Sequence, residues 1–375
     1  MLNEAQKVEL KNALDRKHRL AHGQAQSPTA GNAAPQGSSN KKPLPPVWSG
    51  QRLEVSEYEW LVDGLLRTNR RRPSLLAGRP ESGKSSLAWM LAADVAAGRS
   101  FLGRKTKPCE VLYIHSEETP EECQDILDEL GHDWDHDRKI HVVDVNDCGA
   151  NRHDRLEALA RLLTAYPGVQ LVIIEMLDDF LQIADIKENT ASRQAFEEFD
   201  RVVMEKFAKS VSFVMLHHLG KKETDLSGDA ILGATVLQGR TDTKIFLKQA
   251  SDDDPRRLLH VTVRRGGTAI PKTYLDFDPR TGRSTLGRTL ADERKANSSK
   301  TADRIRGQII EYFAHHPATT EESCLETIEG NHDTKRAKFK ELRRTGILKQ
   351  SGRGIKGDPF VFSPAPIPYE KKEAA

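Results

Sequence analysis

The feature that most constrains the fold is a glycine-rich loop between a short apolar run and a helix-forming segment. Residues 74–86 read SLLAGRPESGKSS, and residues 78–85 have the pattern G-x-x-x-x-G-K-S. Glycines let backbone N–H groups wrap around a polyphosphate, a lysine reaches the β- and γ-phosphates, and a serine at the helix N-terminus ligates Mg²⁺. The pattern therefore predicts a strand–loop–helix unit that binds a nucleoside triphosphate. The alternative is an ordinary glycine-rich turn.

The loop also predicts the role of each of its residues. Lys84 is expected to hold the phosphates during binding and catalysis, and Ser85 to bind the metal. The expected ligands are ATP and Mg²⁺. The predicted nucleotide-binding residues are Gly78, Arg79, Pro80, Glu81, Ser82, Gly83, Lys84, Ser85 and Ser86.

Composition narrows the class of protein. The 375 residues exceed one typical domain. The chain has 57 Lys and Arg against 55 Asp and Glu, so its net charge does not indicate binding to nucleic acid. Any surface that binds nucleic acid must therefore be a local cluster of basic residues. The four cysteines have no C-x-x-C spacing and read as reduced thiols. The charged N-terminus and the short apolar runs predict a cytoplasmic protein with no membrane partner.

The pattern of apolar runs predicts an α/β domain over residues 47–290, with a parallel sheet covered by helices. The predicted strands are residues 74–78, 110–115, 140–144, 170–175 and 211–217. The predicted helices are residues 120–130, 155–165 and 192–209. After His218, the runs 243–248, 258–264 and 273–277 are joined by turns, and are expected to extend the sheet antiparallel at one edge.

The rest of the chain is divided by its composition. Residues 1–46 are predicted to be a disordered tail and linker, since they hold few large apolar side chains. A polar, charged linker is expected at residues 291–301. A compact unit of three helices and a β-hairpin is expected at residues 302–364, followed by a charged tail at 365–375.

Several segments resemble the ATPase core of RepA-type hexameric helicases, which are RecA-like ATPases of plasmids and phages. Residues 60–66 and 75–78 are similar to the entry to that core. Residues 111–118 (VLYIHSEE) resemble the strand that ends in the family's catalytic glutamate, and residues 170–175 (QLVIIE) its Walker B strand. The resemblance implies a RecA-like P-loop core for the α/β domain.

Two later segments extend the resemblance. Residues 212–221 (SFVMLHHLGK) are similar to the family's LHH-x-x-K strand end. Residues 227–234 (SGDAILGA) resemble its RGSSAL-x-G segment, and Asp242 falls on a family aspartate. The family forms rings, so the resemblance implies a homo-hexamer.

The resemblance implies a catalytic role for Glu117, as the carboxylate that orients or deprotonates the attacking water. It favours Glu117 over the neighbouring Glu118. The alternative is that both acids only begin the helix after Thr119 and Pro120, where negative charge suits the helix dipole.

Glu175 departs from the family, which usually has Asp at this position to hold Mg²⁺. Glu175 is nevertheless the expected metal ligand with Ser85, either in an adjusted shell or with help from Asp178 or Asp179. A strand end without a metal role is the alternative. Weak or absent hydrolysis therefore stays open.

The resemblance also implies a phosphate sensor and an arginine finger. His218 is the predicted γ-phosphate sensor, and His217 the predicted structural histidine with satisfied hydrogen bonds. Arg264 and Arg265 are the predicted catalytic finger, which would reach the site of a neighbouring subunit. An ordinary solvated turn is the alternative for these arginines.

Two surfaces are predicted to contact DNA. In a ring, Lys221 and Lys222 would face a central channel and track single-stranded DNA. In the C-terminal unit, residues 334–348 resemble a winged-helix recognition helix that leads into a wing, which docks on duplex DNA. A solvated basic face or a protein-docking module are the alternatives. The predicted contacts of this unit are Lys335, Arg336, Lys338, Lys340, Arg343, Arg344 and Arg353.

Together these features predict an ATP-dependent DNA helicase or translocase of the RepA type, acting in replication of a plasmid, phage or other mobile element. A replication-initiation protein is a possible partner. The alternative is an ATP-binding and DNA-binding regulatory switch with weak hydrolysis, which the glutamate at position 175 favours.

Overall fold

A nine-stranded sheet forms the centre of the structure. In this computed structural model the described residues are 59–68, 71–184, 189–219, 239–251, 254–264 and 266–365. The predicted tail and linker at 1–46 lie outside these residues, as does nearly all of the predicted tail at 365–375. Within the described residues, no helix combines the length and apolar character needed to span a bilayer.

The strands of the main sheet follow the order β11-β10-β9-β8-β3-β7-β6-β4-β5. A separate antiparallel pair, β1 and β2, precedes it. The strands are β1 (Trp60–Val62), β2 (Leu66–Arg67), β3 (Ser74–Gly78), β4 (Glu110–His115), β5 (Ile140–Asp144), β6 (Val169–Ile174), β7 (Ser212–His218), β8 (Thr243–Ser251), β9 (Asp254–Val263), β10 (Ile270–Asp278) and β11 (Arg283–Thr289).

The five strands predicted for the parallel part are confirmed, with ends that shift by at most one residue. The expectation for the later strands is partly wrong, because β8 pairs parallel with β3. Only β9, β10 and β11 run antiparallel, and β11 was not predicted. The connection from β7 to β8 is long enough for a crossover, whereas two residues join β8 to β9 and allow only a hairpin.

Helices cover both faces of the sheet. They are α1 (Lys84–Ala97), α2 (Pro120–Glu129), α3 (Arg152–Ala165), α4 (Leu177–Phe180) and α5 (Asn189–Phe199), which continues through a π-helical turn, Asp200–Met204, into α6 (Glu205–Phe207). Thr119 and Glu122 form a capping box that begins α2. On one face Trp89 of α1 stacks on Tyr113 of β4 at 3.6 Å between ring centroids. This stack fixes α1, and with it the loop before it, against the sheet.

The C-terminal unit has a core of its own, formed by side chains that include Ile309, Phe313, Phe339 and Phe362. Its elements are α7 (Leu290–His315), α8 (Glu321–Thr327), α9 (His332–Arg344), β12 (Leu348–Ser351) and β13 (Val361–Pro364), the last two paired antiparallel. The expected order of three helices and a hairpin is confirmed.

The expected linker at residues 291–301 is helical, because these residues are part of α7. Thr289 caps the helix by accepting a hydrogen bond from the Asp292 N–H. Polar as this segment is, it contains no glycine or proline that would interrupt a helix. The connection between the two parts of the chain is therefore helical.

Candidate active site

The carboxyl ends of four parallel strands meet at one edge of the main sheet, and most of the predicted catalytic residues lie there. The loop with Lys84 follows β3, Glu117 follows β4, Glu175 follows β6, and His218 ends β7. Together with Ser85, Ser86 and Arg257 they line a cavity of about 550 Å³. This is the edge at which open α/β sheets bind their ligands.

The phosphate loop is shaped by its glycines. A Cβ atom at Gly78 would lie 2.4 Å from the Leu247 carbonyl oxygen and 2.5 Å from Ser82 Oγ, so only glycine fits. Gly83 has a φ of 89° at the start of α1, and Glu81 has a φ of 62°, which is unfavourable for a side chain. The loop therefore holds a turned backbone at the N-terminus of α1, where unpaired helix N–H groups favour a bound anion.

Lys84 reaches across the loop to the end of β7. Its Nζ donates to the Arg79 carbonyl oxygen at 2.9 Å and lies 3.2 Å from His218 Nδ1. Because an ammonium only donates, Nδ1 of His218 accepts, and Nε2 carries the proton toward Met176 Sδ at 3.0 Å. Burial, and then the nearby Lys84, lower the pKa of His218. A neutral histidine thus lies directly beside the predicted phosphate-binding lysine.

The geometry distinguishes Glu117 from Glu118. Glu117 is exposed and lines the cavity with Lys84, whereas Glu118 is half-buried and lies 4.0 Å from His115 Nδ1. The acids of the first turn of α2 are Glu121 and Glu122, so neither Glu117 nor Glu118 is needed to begin that helix. This arrangement supports Glu117 as the residue that faces a bound phosphate.

Glu175 is held at the base of the cavity. Its side chain is buried, and Oε1 accepts a hydrogen bond from the Tyr113 hydroxyl at 2.7 Å. Burial, together with the neighbouring Glu118 carboxylate, raises the pKa of Glu175 to about 7, although the hydrogen bond from Tyr113 opposes this rise. Tyr113 is itself fixed by its stack on Trp89.

The oxygen ligands at this position fit Mg²⁺. The Ser85 and Glu175 side chains both line the cavity, so a cation shared with phosphate oxygens would have two hard oxygen ligands here. The help expected from Asp178 or Asp179 is not seen. Asp179 pairs with Arg155 at 3.2 Å, and Asp178 lies 3.9 Å from His217 Nδ1.

His217 differs from its predicted role. It is buried as expected, but neither of its ring nitrogens forms a hydrogen bond within the described residues. His217 lies 3.9 Å from the Asp178 carboxylate and lowers the pKa of that group. Among the residues that the structure describes, the hydrogen bonds expected for a structural His217 are therefore missing. Adjacent strand residues point to opposite faces, so His217 does not share the contacts of His218.

The predicted arginine finger is not near the phosphate loop of its own chain. Arg264 donates from its backbone N–H to the Asp242 carbonyl oxygen at 3.0 Å, and from Nη1 to that of Gly239 at 2.8 Å. Since β9 runs antiparallel to β8, its last residues lie at the opposite edge of the sheet from the cavity. Arg265 lies outside the described residues. The predicted action on a neighbouring subunit stays a prediction.

Arg257 is a site residue that the sequence does not reveal. It lies near the start of β9, at the edge that carries the cavity, and its Nη2 donates to the Glu81 carbonyl oxygen at 3.1 Å. No motif marks this arginine. Only the register of the β8–β9 hairpin, which pairs it with Gln249, brings it to the phosphate loop.

Comparison with known proteins agrees with this geometry. Residues 40–224 match the family model described as an AAA domain. This part of the chain is therefore similar to AAA-type ATPase domains. The matched range contains Lys84, Glu117, Glu175 and His218 and ends before β8. No curated protein matches the chain.

The basic helix of the C-terminal unit is partly buried. Lys335 was expected to face outward, and this is wrong: its Nζ donates to the carbonyl oxygens of Leu325 at 2.6 Å and Ile328 at 2.9 Å. The C-terminal turn of α8 has unpaired carbonyl groups, which this ammonium satisfies. Lys335 is therefore not available to DNA.

The other predicted DNA contacts are at the surface but have acidic neighbours. Lys338 pairs with Glu341 at 2.8 Å, and Arg353 with Asp358 at 2.8 Å. A groove of about 520 Å³ separates α8 from α9. It is lined by Arg336, Lys340 and Arg343 on one side and Glu321, Glu322 and Glu326 on the other. Arg344 is exposed, and Lys221 and Lys222 lie outside the described residues.

The raised pKa of Glu175 predicts a pH-dependent stability. Folding favours the protonated form of the Glu175 carboxyl. Its contribution to the free energy of unfolding is therefore fully present below about pH 4.5 and is lost as the pH rises through about 7. Glu175→Gln stays neutral. In denaturant titrations without metal or nucleotide, its unfolding free energy should exceed that of the wild type by an amount that grows to about 3 kcal/mol over this range.

The same titration in a Glu118→Gln background is the matched comparison. The Glu118 charge is one cause of the raised pKa of Glu175. In the Glu118→Gln background, the stability gained by Glu175→Gln should therefore increase less with pH than it does in the wild-type background. A difference between Glu175→Gln and wild type that stays constant with pH would contradict the assignment.

Proposed function

We propose that the chain is an ATP-dependent DNA helicase or translocase of the RepA type that acts in replication of a plasmid, phage or other mobile element. The observation that carries this proposal is one cavity shared by Lys84, Glu117 and His218. A phosphate-binding lysine, a carboxylate and a neutral histidine at the ends of three parallel strands are the groups that ATP hydrolysis needs.

Each residue has a part in the proposed reaction. Lys84 would leave His218 and bind the β- and γ-phosphates, for which an ammonium is a compact charge partner. Glu117 would orient the water that attacks the γ-phosphorus and accept its proton. Mg²⁺ bound by Ser85 and Glu175 would neutralise charge on the phosphate oxygens. His218, no longer bonded to Lys84, would act as a sensor of the γ-phosphate at the end of β7.

A second cavity of about 510 Å³ adjoins the first and suits the nucleoside. The two cavities share Gly83, Ser86 and Arg257. Leu87, Leu247, Leu275 and the exposed ring of Phe277 line the second cavity. Apolar and aromatic side chains of this kind bind a nucleobase by stacking and burial.

The DNA contacts complete the proposal. A homo-hexamer would pass single-stranded DNA through its centre along Lys221 and Lys222, with Arg264 and Arg265 acting on the neighbouring subunit. The C-terminal unit, as a winged helix, would hold duplex DNA or a replication-initiation protein. Its three helices and antiparallel hairpin support this assignment, and the exposed Lys340 and Arg344 are its best placed cations.

Glu175 favours a second candidate, an ATP-binding regulatory switch with slow hydrolysis. A buried glutamate bound to Tyr113, with a pKa of about 7, is ionised in only part of the molecules near neutral pH. It would then bind Mg²⁺ less readily than an exposed aspartate. In this case nucleotide binding, without rapid turnover, would control assembly on DNA.

The role of Glu117 predicts a specific loss of turnover. Glu117→Gln should lower kcat for ATP by about 10²-fold or more, with the Kd for ATP unchanged, because general-base catalysis contributes on that order. Steady-state hydrolysis is measured with and without single-stranded DNA. The matched Glu118→Gln should lose less than about tenfold, and the reverse order would reject the assignment.

Strand displacement on a forked duplex separates the two candidates. A motor displaces the strand with ATP in the wild type and not in Glu117→Gln. A switch binds DNA in an ATP-dependent manner in both proteins and displaces nothing.

The basic C-terminal unit predicts a salt-dependent affinity for duplex DNA. Lys340→Ala combined with Arg344→Ala should reduce the slope of log K against log salt concentration by roughly 1.8, since each phosphate contact contributes about 0.9. The slope is measured by fluorescence anisotropy, with Arg280→Ala as a control at an exposed turn of the main sheet. An unchanged slope in the double variant would mean that these cations do not bind phosphate.

A further inference from the structure

Arg257 occupies a position that no role described so far explains. It lies on β9 between Gln249 of β8 and Leu275 of β10. Its strand enters the sheet at the cavity edge, so the side chain reaches the phosphate loop of the same chain. The predicted finger residue Arg264 follows the other end of this strand, so the length of β9 separates it from Arg257.

The guanidinium is in contact with the loop itself. Nη2 donates to the Glu81 carbonyl oxygen at 3.1 Å, at the residue whose backbone has a φ of 62°. On the other side of the loop, a Cβ atom at Gly83 would lie 3.9 Å from Arg257 Nε. The side chain therefore lies across residues 81–83, the part of the loop that turns into α1.

Arg257 is also one of three residues that line both cavities. One cavity contains Lys84, Glu117 and His218, and the other contains Leu247 and Phe277. A nucleotide with its phosphates in the first cavity and its nucleoside in the second must pass this junction. Of the three residues at this junction, Gly83 has no side chain and Ser86 has only a hydroxyl group. Arg257 is therefore the one of the three that carries a charge.

The neighbouring Arg256 has a different position. It lines the second cavity but not the first. Arg256 pairs with Asp254 at 2.7 Å and with Glu293 at 3.2 Å, and it lies over the Tyr274 ring at 4.1 Å. Arg257, one residue further along β9, donates to a backbone carbonyl oxygen of the phosphate loop.

We propose that Arg257 binds the polyphosphate of the nucleotide held by its own chain, as a cation supplied in cis. This inference rests on the proposed ATP site. A guanidinium donates two parallel hydrogen bonds to phosphate oxygens. Its contact with Glu81 keeps it beside the loop before the nucleotide arrives, so little side-chain freedom is lost on binding.

The test compares Arg257→Gln and Arg257→Ala with the wild type in the full chain. Glutamine keeps an N–H donor for the Glu81 carbonyl oxygen but removes the charge, so it separates phosphate binding from support of the loop. Kd values for ATP, ADP and AMP are measured by isothermal titration calorimetry with Mg²⁺. Thermal unfolding without nucleotide checks the fold. Arg304→Ala is the control, being an exposed arginine of α7 that is paired with Glu329 and lines neither cavity.

Both variants should bind ATP roughly ten- to a hundredfold more weakly than the wild type, as expected for loss of a charge-assisted hydrogen bond. The loss for AMP should be smaller, and Arg304→Ala should bind like the wild type. If Arg257→Ala unfolds, Arg257→Gln alone decides. Equal ATP affinity in wild type and Arg257→Gln, or equal losses for ATP and AMP, would overturn the inference. Absence of ATP binding in the wild type would instead reject the proposed function.

Discussion

The parallel pairing of β3 with both β7 and β8 is the constraint on which the site depends. It places the end of β3 at the centre of the sheet and presses Gly78 against the Leu247 carbonyl oxygen, where no side chain fits. Because all the parallel strands end at the same edge, Glu117, Glu175 and His218 arrive beside Lys84 without any further folding event. The chemistry of the site is thus a consequence of strand order.

Within that frame, Lys84 and His218 form the contact that a nucleotide must replace. The ammonium satisfies Nδ1 of a histidine whose other nitrogen faces Met176. A phosphate offers Lys84 a stronger, charged partner than a neutral imidazole does. Nucleotide binding would therefore free His218, and the change begins at the end of β7, directly before the segment proposed to contact DNA.

Much of this arrangement could be predicted from the sequence, and the reasons are local. Three segments of the site can be located in the sequence because each is an apolar run followed by polar residues. They are the G-x-x-x-x-G-K-S loop, the strand followed by Glu117, and the strand that ends in His217 and His218. The capping box before α2 and the basic helix α9 are also readable from adjacent residues.

What could not be predicted depends on contacts between distant segments. Arg257 reaches the loop only through the register of an antiparallel hairpin. In the sequence, Lys335 is indistinguishable from its basic neighbours. Only the packing of α8 against α9 shows that its ammonium donates to two carbonyl oxygens. The binding of Glu175 by Tyr113, and the helix through residues 291–301, likewise follow from packing and from the absence of helix breakers, which a reading of polarity alone does not capture.

The central claim is that the loop at residues 78–85 holds ATP through Lys84. The most direct measurement is calorimetric titration of the full chain with ATP in the presence of Mg²⁺, for the wild type and for Lys84→Ala. The account predicts saturable binding to the wild type and no measurable binding to Lys84→Ala, with both proteins unfolding at similar temperatures. Equal ATP binding by the two proteins, or none by the wild type, would contradict it.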